Sequence, residues 1–172
     1  MAFSGGKDSS YALWRLVQDH RYEVAGLLTT LTEGYDRVSM QGIRRSLLDA
    51  QAEMLGLPLY PVYIPQAASN EIYEDAMGGM VRRLVADGIT ACAFGDLFLE
   101  DVRAYRERML EGTGLEPVFP IWGEDTSALA YRLIEDGFRA VITCVETSFH
   151  TGWKFCWQRS PNTPCVIMMS CL

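Results

Sequence analysis

Short apolar runs alternate along the chain with longer segments in which apolar residues recur every three or four positions. The short runs predict strands that are covered on both faces, because such strands are continuously apolar. The longer segments predict amphipathic helices between the strands. The predicted strands span residues 1–3, 24–30, 59–64, 89–94, 117–122 and 139–145.

Polar capping residues and glycines set the predicted helix ends. Helices are expected to follow Ser9, to begin at Ser39, Ser69 and Asp125, and to cover residues 100–110. The side chains expected to face the core are Ala12, Leu13, Leu16 and Val17 in the first helix, Met40, Ile43, Leu47, Gln51 and Met54 in the second, and Ile72, Tyr73, Ala76, Met80, Val81 and Leu84 in the third.

Strands that alternate with helices predict right-handed crossovers and a mostly parallel sheet with helices on both faces. The expected fold is therefore an α/β, Rossmann-like, three-layer α/β/α architecture, with the sheet complete at about residue 145. Ligands of such sheets bind at the carboxyl ends of the strands. Polar or glycine-containing segments follow several strands at that edge: residues 4–9, 29–36, 95–96 and 122–123.

The segment Ser4-Gly5-Gly6-Lys7-Asp8-Ser9 joins the first predicted strand to the first helix. Glycines let the backbone approach a ligand closely, and a helix N-terminus offers free N–H groups, so the segment suits a phosphate. Lys7 adds a positive charge, and Asp8 suits a magnesium ion that accompanies the phosphates. The spacing is not that of a Walker A loop. A glycine turn that only caps a helix is the alternative.

Composition, charge and cysteine spacing argue against several other classes of protein. The net charge of −7 argues against binding nucleic acid through its phosphates. No apolar run approaches a membrane span, and nothing predicts secretion. The five cysteines form no Cys-x-x-Cys pair, and Cys92 and Cys144 are expected to be small buried residues. The sequence therefore predicts a single cytoplasmic domain.

Two further segments complete a resemblance. Residues 33–44 (EGYDRVSMQGIR) and 95–103 (GDLFLEDVR), together with the glycine segment, are similar to the diphthine–ammonia ligase branch of the PP-loop ATP pyrophosphatases. Related bacterial proteins are described as adenine nucleotide alpha hydrolase-like. The resemblance spans roughly residues 1 to 145. It implies that ATP adenylates a carboxylate with release of pyrophosphate, and that ammonia then displaces AMP.

The resemblance and the strand ends together suggest roles for individual residues. Lys7 and Asp8 are the expected catalytic residues, and Asp8 and Asp96 the expected magnesium ligands. The residues expected to bind ATP are Ser4, Gly5, Gly6, Lys7, Asp8, Ser9, Thr29, Gly95 and Asp96. Those expected to bind the acceptor are Glu33, Gly34, Tyr35, Asp36, Arg44, Glu100 and Arg103, with Arg44 able to grip a carboxylate through two hydrogen bonds.

Plainer interpretations stay open for several of these residues. Asp96 could be an ordinary turn residue, and the loop at 33–44 could simply be solvated. Glu100 and Arg103 could form an exposed helix pair. Trp122 could stack on a ligand or be a half-buried strand residue.

Two departures from the family bear on activity. Gln41 stands where members commonly carry histidine, so an acid–base role there is lost. After Glu146 the chain has no Asp or Glu but has Cys156, Cys165 and Cys171, and it lacks an Asn-Gly-Glu segment. We therefore predict a PP-loop domain at residues 1–146 and an atypical tail at 147–172, foreign or frameshifted, with an authentic divergent tail as the alternative.

Three functions remain open at this point. The first is an AMP-forming ligase that uses ATP, Mg²⁺, ammonia and a carboxylate acceptor, with activity lowered if the missing segment forms part of the acceptor site. The second is an adenine-nucleotide-binding module without chemistry. The third, weaker alternative is a thiolation enzyme. A homodimer is also considered, whereas nucleic acid and membrane partners are not expected.

Overall fold

The structure, a computed structural model, describes residues 1–39, 41–144 and 166–170, and of residues 140–144 and 166–170 it describes the backbone alone. The elements, in chain order, are α1 (Lys7–Gln18), β1 (Leu27–Thr32), β2 (Arg37–Val38), α2 (Arg45–Leu55), β3 (Leu59–Ile64), α3 (Asn70–Ala86), β4 (Ala91–Ala93), α4 (Glu100–Leu110), β5 (Glu116–Val118), α5 (Thr126–Glu135), β6 (Arg139–Cys144) and β7 (Val166–Ser170). None of the helices in this described part is long and apolar enough to cross a membrane.

The strand pairs are parallel except at β2. β1 pairs with β3 in parallel and with β2 in antiparallel, β4 pairs with β5, and β6 pairs with β7. The opening segment, residues 1–3, connects the first two groups. The N–H groups of Leu28 and Ala2 donate to the carbonyls of Met1 and Ala93, each over 2.8 Å. The strand order across the sheet is therefore β3, β1, opening segment, β4, β5.

The two faces of this sheet are covered by different helices. Leu27 and Leu31 of β1 are fully buried in a cluster with Leu48 of α2 and residues of α1. Leu28, on the opposite face, packs with Val81 of α3 and with residues of α4. A third cluster packs α5 against α1. Alternate residues of a strand point to opposite faces, so the predicted three-layer, Rossmann-like α/β/α fold is confirmed.

Local capping signals were reliable for three elements. Ser69 caps α3 by accepting a hydrogen bond from the N–H of Ile72, and Asp125 caps α5 by accepting one from the N–H of Ala128. Gly56 ends α2 with a left-handed φ of 65°. The bounds of β3 and α4 agree with the predicted ranges 59–64 and 100–110.

The predicted start of the second helix at Ser39 is wrong. α2 begins at Arg45, with Arg44 as its N-cap. The N–H of Ser39 instead donates to the carbonyl of Thr30, and that of Val38 donates to the carbonyl of Ile43. Val38 and Ser39 are therefore held by backbone hydrogen bonds to residues outside the predicted helix, so their backbone groups are not available to that helix. Met40, predicted to face the core, lies outside the described residues.

Several predicted core positions are exposed. Val17, Leu47, Met54 and Ile72 each expose more than a third of their surface, with Met54 at 72%. In α2 the buried stripe runs through Leu48 and Ala52 instead. Because the N-cap of the helix lies five residues later than predicted, the phase of its buried stripe could not be inferred from Ser39.

Two strand predictions are also corrected. β5 ends at Val118, so Trp122 lies in a turn rather than in a strand. The expectation that the sheet is complete at about residue 145 is contradicted by β7, whose backbone pairs in parallel with β6. The side chain of Cys144, and Cys156, Cys165 and Cys171 altogether, lie outside what the structure describes. The domain boundary at residue 146 stays a prediction.

A chain that ends at Glu146 lacks β7 and therefore leaves the β6 backbone without this partner. We expect its melting temperature to fall by about 2–4 °C or more, the shift that about 1 kcal/mol produces in a domain of this size. Thermal unfolding of the two chain lengths measures this. An unchanged melting temperature would show that β7 contributes nothing to stability.

Candidate functional site

Two loops meet where the order of strands reverses. The chain moves from the opening segment to β1 and β3 on one side, and then returns to β4 and β5 on the other. Ser4 to Gly6 follow the opening segment, and Gly95 and Asp96 follow β4. A topological switch point of this kind forms a crevice at the carboxyl edge of a parallel sheet.

Gly95 brings the second loop into contact with α1. A Cβ built on Gly95 would lie 3.0 Å from both Cα and the backbone nitrogen of Ser9, and 3.1 Å from the carbonyl carbon of Asp8. A side chain there would push against backbone atoms and require the loop and the helix to move apart by a few tenths of an ångström, so glycine favours this close approach. The predicted convergence of residues 4–9 with residues 95–96 is therefore present in the fold.

The glycine loop presents the N-terminus of α1. Gly5 has a φ of +77°, which favours glycine, and a Cβ there would also lie 2.7 Å from Oε1 of Gln51. Gly6 is the N-cap of α1 and has no side chain to satisfy the first N–H groups of the helix. The arrangement is that of an anion-binding helix start.

The two serines stabilise the loop from within. The N–H of Gly6 donates to the Ser4 hydroxyl over 3.4 Å, the two serine hydroxyls lie 3.1 Å apart, and the Ser9 hydroxyl donates to the carbonyl of Gly6 over 3.0 Å. Ser9 is buried. These bonds fix the shape of the loop, so both serines contribute to the site through its geometry.

Three charged side chains are attached to the two loops. Nζ of Lys7 donates to both carboxylate oxygens of Asp8, at 2.7 and 2.8 Å. Burial raises the pKa of Asp96 above its usual range, the positive charge of Arg106 opposes this, and the negative charge of Asp8 adds to it. Asp8 and Asp96 are therefore close enough to interact electrostatically.

The two carboxylates fit a magnesium ion that is held mainly by phosphate oxygens and water. Such ions commonly take one or two protein carboxylates. No cluster of three or more His, Cys, Asp or Glu side chains occurs in the described part of the chain. The Asp96 side chain is 25% exposed, so part of it is accessible from the crevice. This donor set suits an ion that arrives with a nucleotide better than a resident metal.

Sequence reasoning did not find Arg106. Its Nε lies 3.8 Å from Oδ2 of Asp96, and its guanidinium carbon lies 5.2 Å from the centre of the Phe94 ring. Arg106 lies three residues after Arg103 on α4, a spacing that puts the two on neighbouring parts of the helix surface. The sequence shows this spacing, but the spacing does not indicate which of the two arginines contacts the residues that follow β4.

Thr29, predicted to contact ATP, lies in the middle of β1. Its side chain is 3% exposed and its hydroxyl has no hydrogen-bond partner. A buried hydroxyl without a partner costs free energy. Its contact with a nucleotide stays a prediction.

The predicted acceptor residues fall into two groups. Glu33, Gly34, Tyr35 and Asp36 form an exposed turn between β1 and β2, and Arg44 is exposed at the start of α2. Glu100 is exposed at the start of α4, near Arg103. Within the described residues, no hydrogen bond or ion pair joins the first group to the second.

Arg103 pairs with Glu107, and not with Glu100 as the plainer interpretation has it. Its Nε donates to Glu107 over 2.8 Å, and its guanidinium carbon lies 4.8 Å from the ring centres of both Phe119 and Trp122. Trp122 therefore contacts a positively charged side chain of α4, and cation–π attraction orients the guanidinium.

A groove of about 660 Å³ lies elsewhere, between α3 and α4. Val81, Arg82, Tyr105 and Arg108 are among its lining residues. It contains none of the predicted site residues. We place the candidate site at the switch point, because the charged side chains and the free helix start are there.

The parallel sheet and the glycine loop at its switch point define a nucleotide-binding fold of the PP-loop, adenine nucleotide alpha hydrolase-like class. The family model described as diphthamide synthase N-terminal domain matches residues 1–117. The chain belongs to this family. No curated protein was found that matches the chain. The matched range includes both loops and every predicted site residue, whereas Trp122 lies beyond it.

Gly95→Ala should destabilise the chain by about 1–3 kcal/mol, because the added methyl group collides with the backbone of α1. Gly79→Ala is the matched control. Gly79 is exposed within α3 and open space surrounds most of it, so the same methyl group should stabilise by about 0.5–1 kcal/mol. Urea unfolding of both variants tests this. Equal effects of the two changes would contradict the proposed contact between the loops.

Proposed function

We propose that the chain is an ATP-dependent, AMP-forming ligase that activates a carboxylate for amidation by ammonia, similar to diphthine–ammonia ligase. The observation that carries the proposal is the open start of α1, against which Gly95 packs so closely that the loop carrying Asp96 adjoins Asp8. Membership of a PP-loop family supports the use of ATP.

ATP would place its phosphates at the glycine loop. The first N–H groups of α1 would donate to phosphate oxygens, and Lys7 would move from Asp8 to the phosphates as they bind. Asp8 and Asp96 would hold the magnesium ion that accompanies ATP. That ion would neutralise the negative charge that develops when the bond between the α- and β-phosphates breaks.

The proposed reaction has two steps. A carboxylate oxygen attacks the α-phosphorus, pyrophosphate leaves, and an acyl adenylate forms. The ammonia nitrogen then attacks the acyl carbon, AMP leaves, and a proton is released as the amide forms. Both steps need charge stabilisation and exclusion of water more than a protein nucleophile.

The acceptor would bind through arginine side chains. Arg44 is exposed and retains its donors for a carboxylate. Arg103 is oriented by two rings and by Glu107, which makes it the better-positioned of the two.

The thiolation alternative has less support from the described residues. Cys92 is buried, and burial raises the pKa of its thiol above the usual range. A thiol of this kind is a poor sulfur carrier, because the thiolate is the reactive form. The binding module without chemistry is distinguished from the ligase by the products of turnover.

Turnover should yield AMP and pyrophosphate. The chain is incubated with ATP, magnesium, ammonium and a pool of candidate carboxylates, and the nucleotides are separated by chromatography. ADP and phosphate as the only products would disprove the proposed bond cleavage. Tight ATP binding with no turnover across the carboxylate pool would instead favour the binding module.

Lys7→Ala should lower turnover by roughly 30- to 900-fold, which corresponds to about 2–4 kcal/mol of lost transition-state stabilisation. Stability should change little, because Lys7 is partly exposed and pairs only with its neighbour. Arg21→Ala is the control, since Arg21 pairs with Asp19 at an exposed position. Wild-type kinetics and wild-type ATP affinity in Lys7→Ala would remove Lys7 from the site.

A further inference from the structure

Three elements fix the position of Arg106. The side chain extends from α4, its guanidinium lies over the ring of Phe94, and its Nη1 donates a 3.4 Å hydrogen bond to the hydroxyl of Tyr73 in α3. Nε lies 3.8 Å from Oδ2 of Asp96. A guanidinium can make these contacts together because it is planar and carries several donors.

The contact with Asp96 is poorly explained by folding alone. Both Nε of Arg106 and Oδ2 of Asp96 are shielded from solvent and have no hydrogen-bond partner. Their 3.8 Å separation allows an ion pair but is too long for a hydrogen bond. Shielded ion pairs contribute little to stability, because desolvation offsets their attraction.

The ion pair with Arg106 leaves part of the Asp96 side chain exposed to solvent. The Asp96 side chain is 25% exposed even though Oδ2 is shielded. The exposed surface therefore belongs to other atoms of the side chain. Arg106 approaches Asp96 on the shielded side, and the adjacent Gly95 packs on the first turn of α1.

We propose that Arg106 is a positioning residue that holds Asp96 through Oδ2, so that the remaining oxygen binds the magnesium ion accompanying ATP. This inference rests on the proposed function. Arg106 itself touches neither nucleotide nor metal. Its effect should therefore depend on Asp96 and appear only when magnesium is present.

The test measures ATP affinity by calorimetry on the full chain, once with magnesium and once with EDTA. Arg106→Met keeps an unbranched chain against Phe94 but removes the charge. It should reduce the gain in affinity that magnesium produces by about tenfold, the lower end of losses seen when residues that support metal ligands are removed. In EDTA the affinity should stay within about threefold, which is under about 0.7 kcal/mol.

Two further variants separate positioning from a general structural role. In an Asp96→Asn background, Arg106→Met should have no additional effect on the magnesium-dependent gain, because the two residues act as one unit. Arg108→Met is the matched control, since Arg108 is an exposed arginine on the same helix. It should leave both affinities unchanged. Arg106→Lys, which retains the charge, should recover part of the gain and replaces Arg106→Met if that variant does not fold.

The outcomes distinguish this inference from the proposed function. Equal losses with magnesium and with EDTA, or the same loss in the Asp96→Asn background, would show that Arg106 only maintains the fold. A wild-type chain that binds ATP equally well with and without magnesium would overturn the inference and leave ATP binding intact. A wild-type chain that binds no ATP would overturn the proposed function and the inference with it.

Discussion

The backbone hydrogen bonds of residues 1–3 determine where the candidate site lies. Met1 and Phe3 bond to Leu28 on one side, and Ala2 bonds to Ala93 on the other, so this short segment joins β1 to β4. The chain leaves it directly into the glycine loop. The strands on its two sides are reached by crossovers in opposite directions, which is the arrangement of a topological switch point. The helix start at Gly6 therefore faces a crevice.

Close backbone packing at this point has an electrostatic consequence. Gly95 allows the loop after β4 to touch α1, and that contact brings the carboxylate of Asp96 toward that of Asp8. Two carboxylates in a partly buried crevice repel each other, and both lose hydration. Lys7 and Arg106 offset this cost from two sides.

Local signals predicted the elements whose ends are set by their own side chains. Ser69 and Asp125 cap their helices as the sequence indicates, and the rule that ligands of parallel sheets bind at the carboxyl ends of the strands placed the glycine loop and Gly95 at one edge. Ser39 has the same type of capping side chain, but its backbone N–H donates to the carbonyl of Thr30 in β1. No local sequence pattern indicates this hydrogen bond.

Side-chain partners were predictable only where sequence neighbours determine them. Arg106 was missed because its partner depends on how α4 is rotated against the sheet. Arg103 has acidic neighbours at both the i−3 and the i+4 position of the same helix, and the sequence does not indicate that it pairs with Glu107 rather than Glu100. β7 was missed because its pairing with β6 joins segments that are far apart in the chain.

The proposed acceptor side of the site depends on different residues from the proposed nucleotide side. Both loops of the nucleotide crevice lie within residues 1–117, the range that the family model matches. Arg103 lies in that range as well, but the rings of Phe119 and Trp122 that orient it lie beyond it. A substitution at either ring would redirect Arg103 without altering the glycine loop. If Arg103 binds the acceptor as proposed, acceptor preference would vary among chains that keep the same glycine loop, and family membership would constrain ATP use more tightly than it constrains the carboxylate.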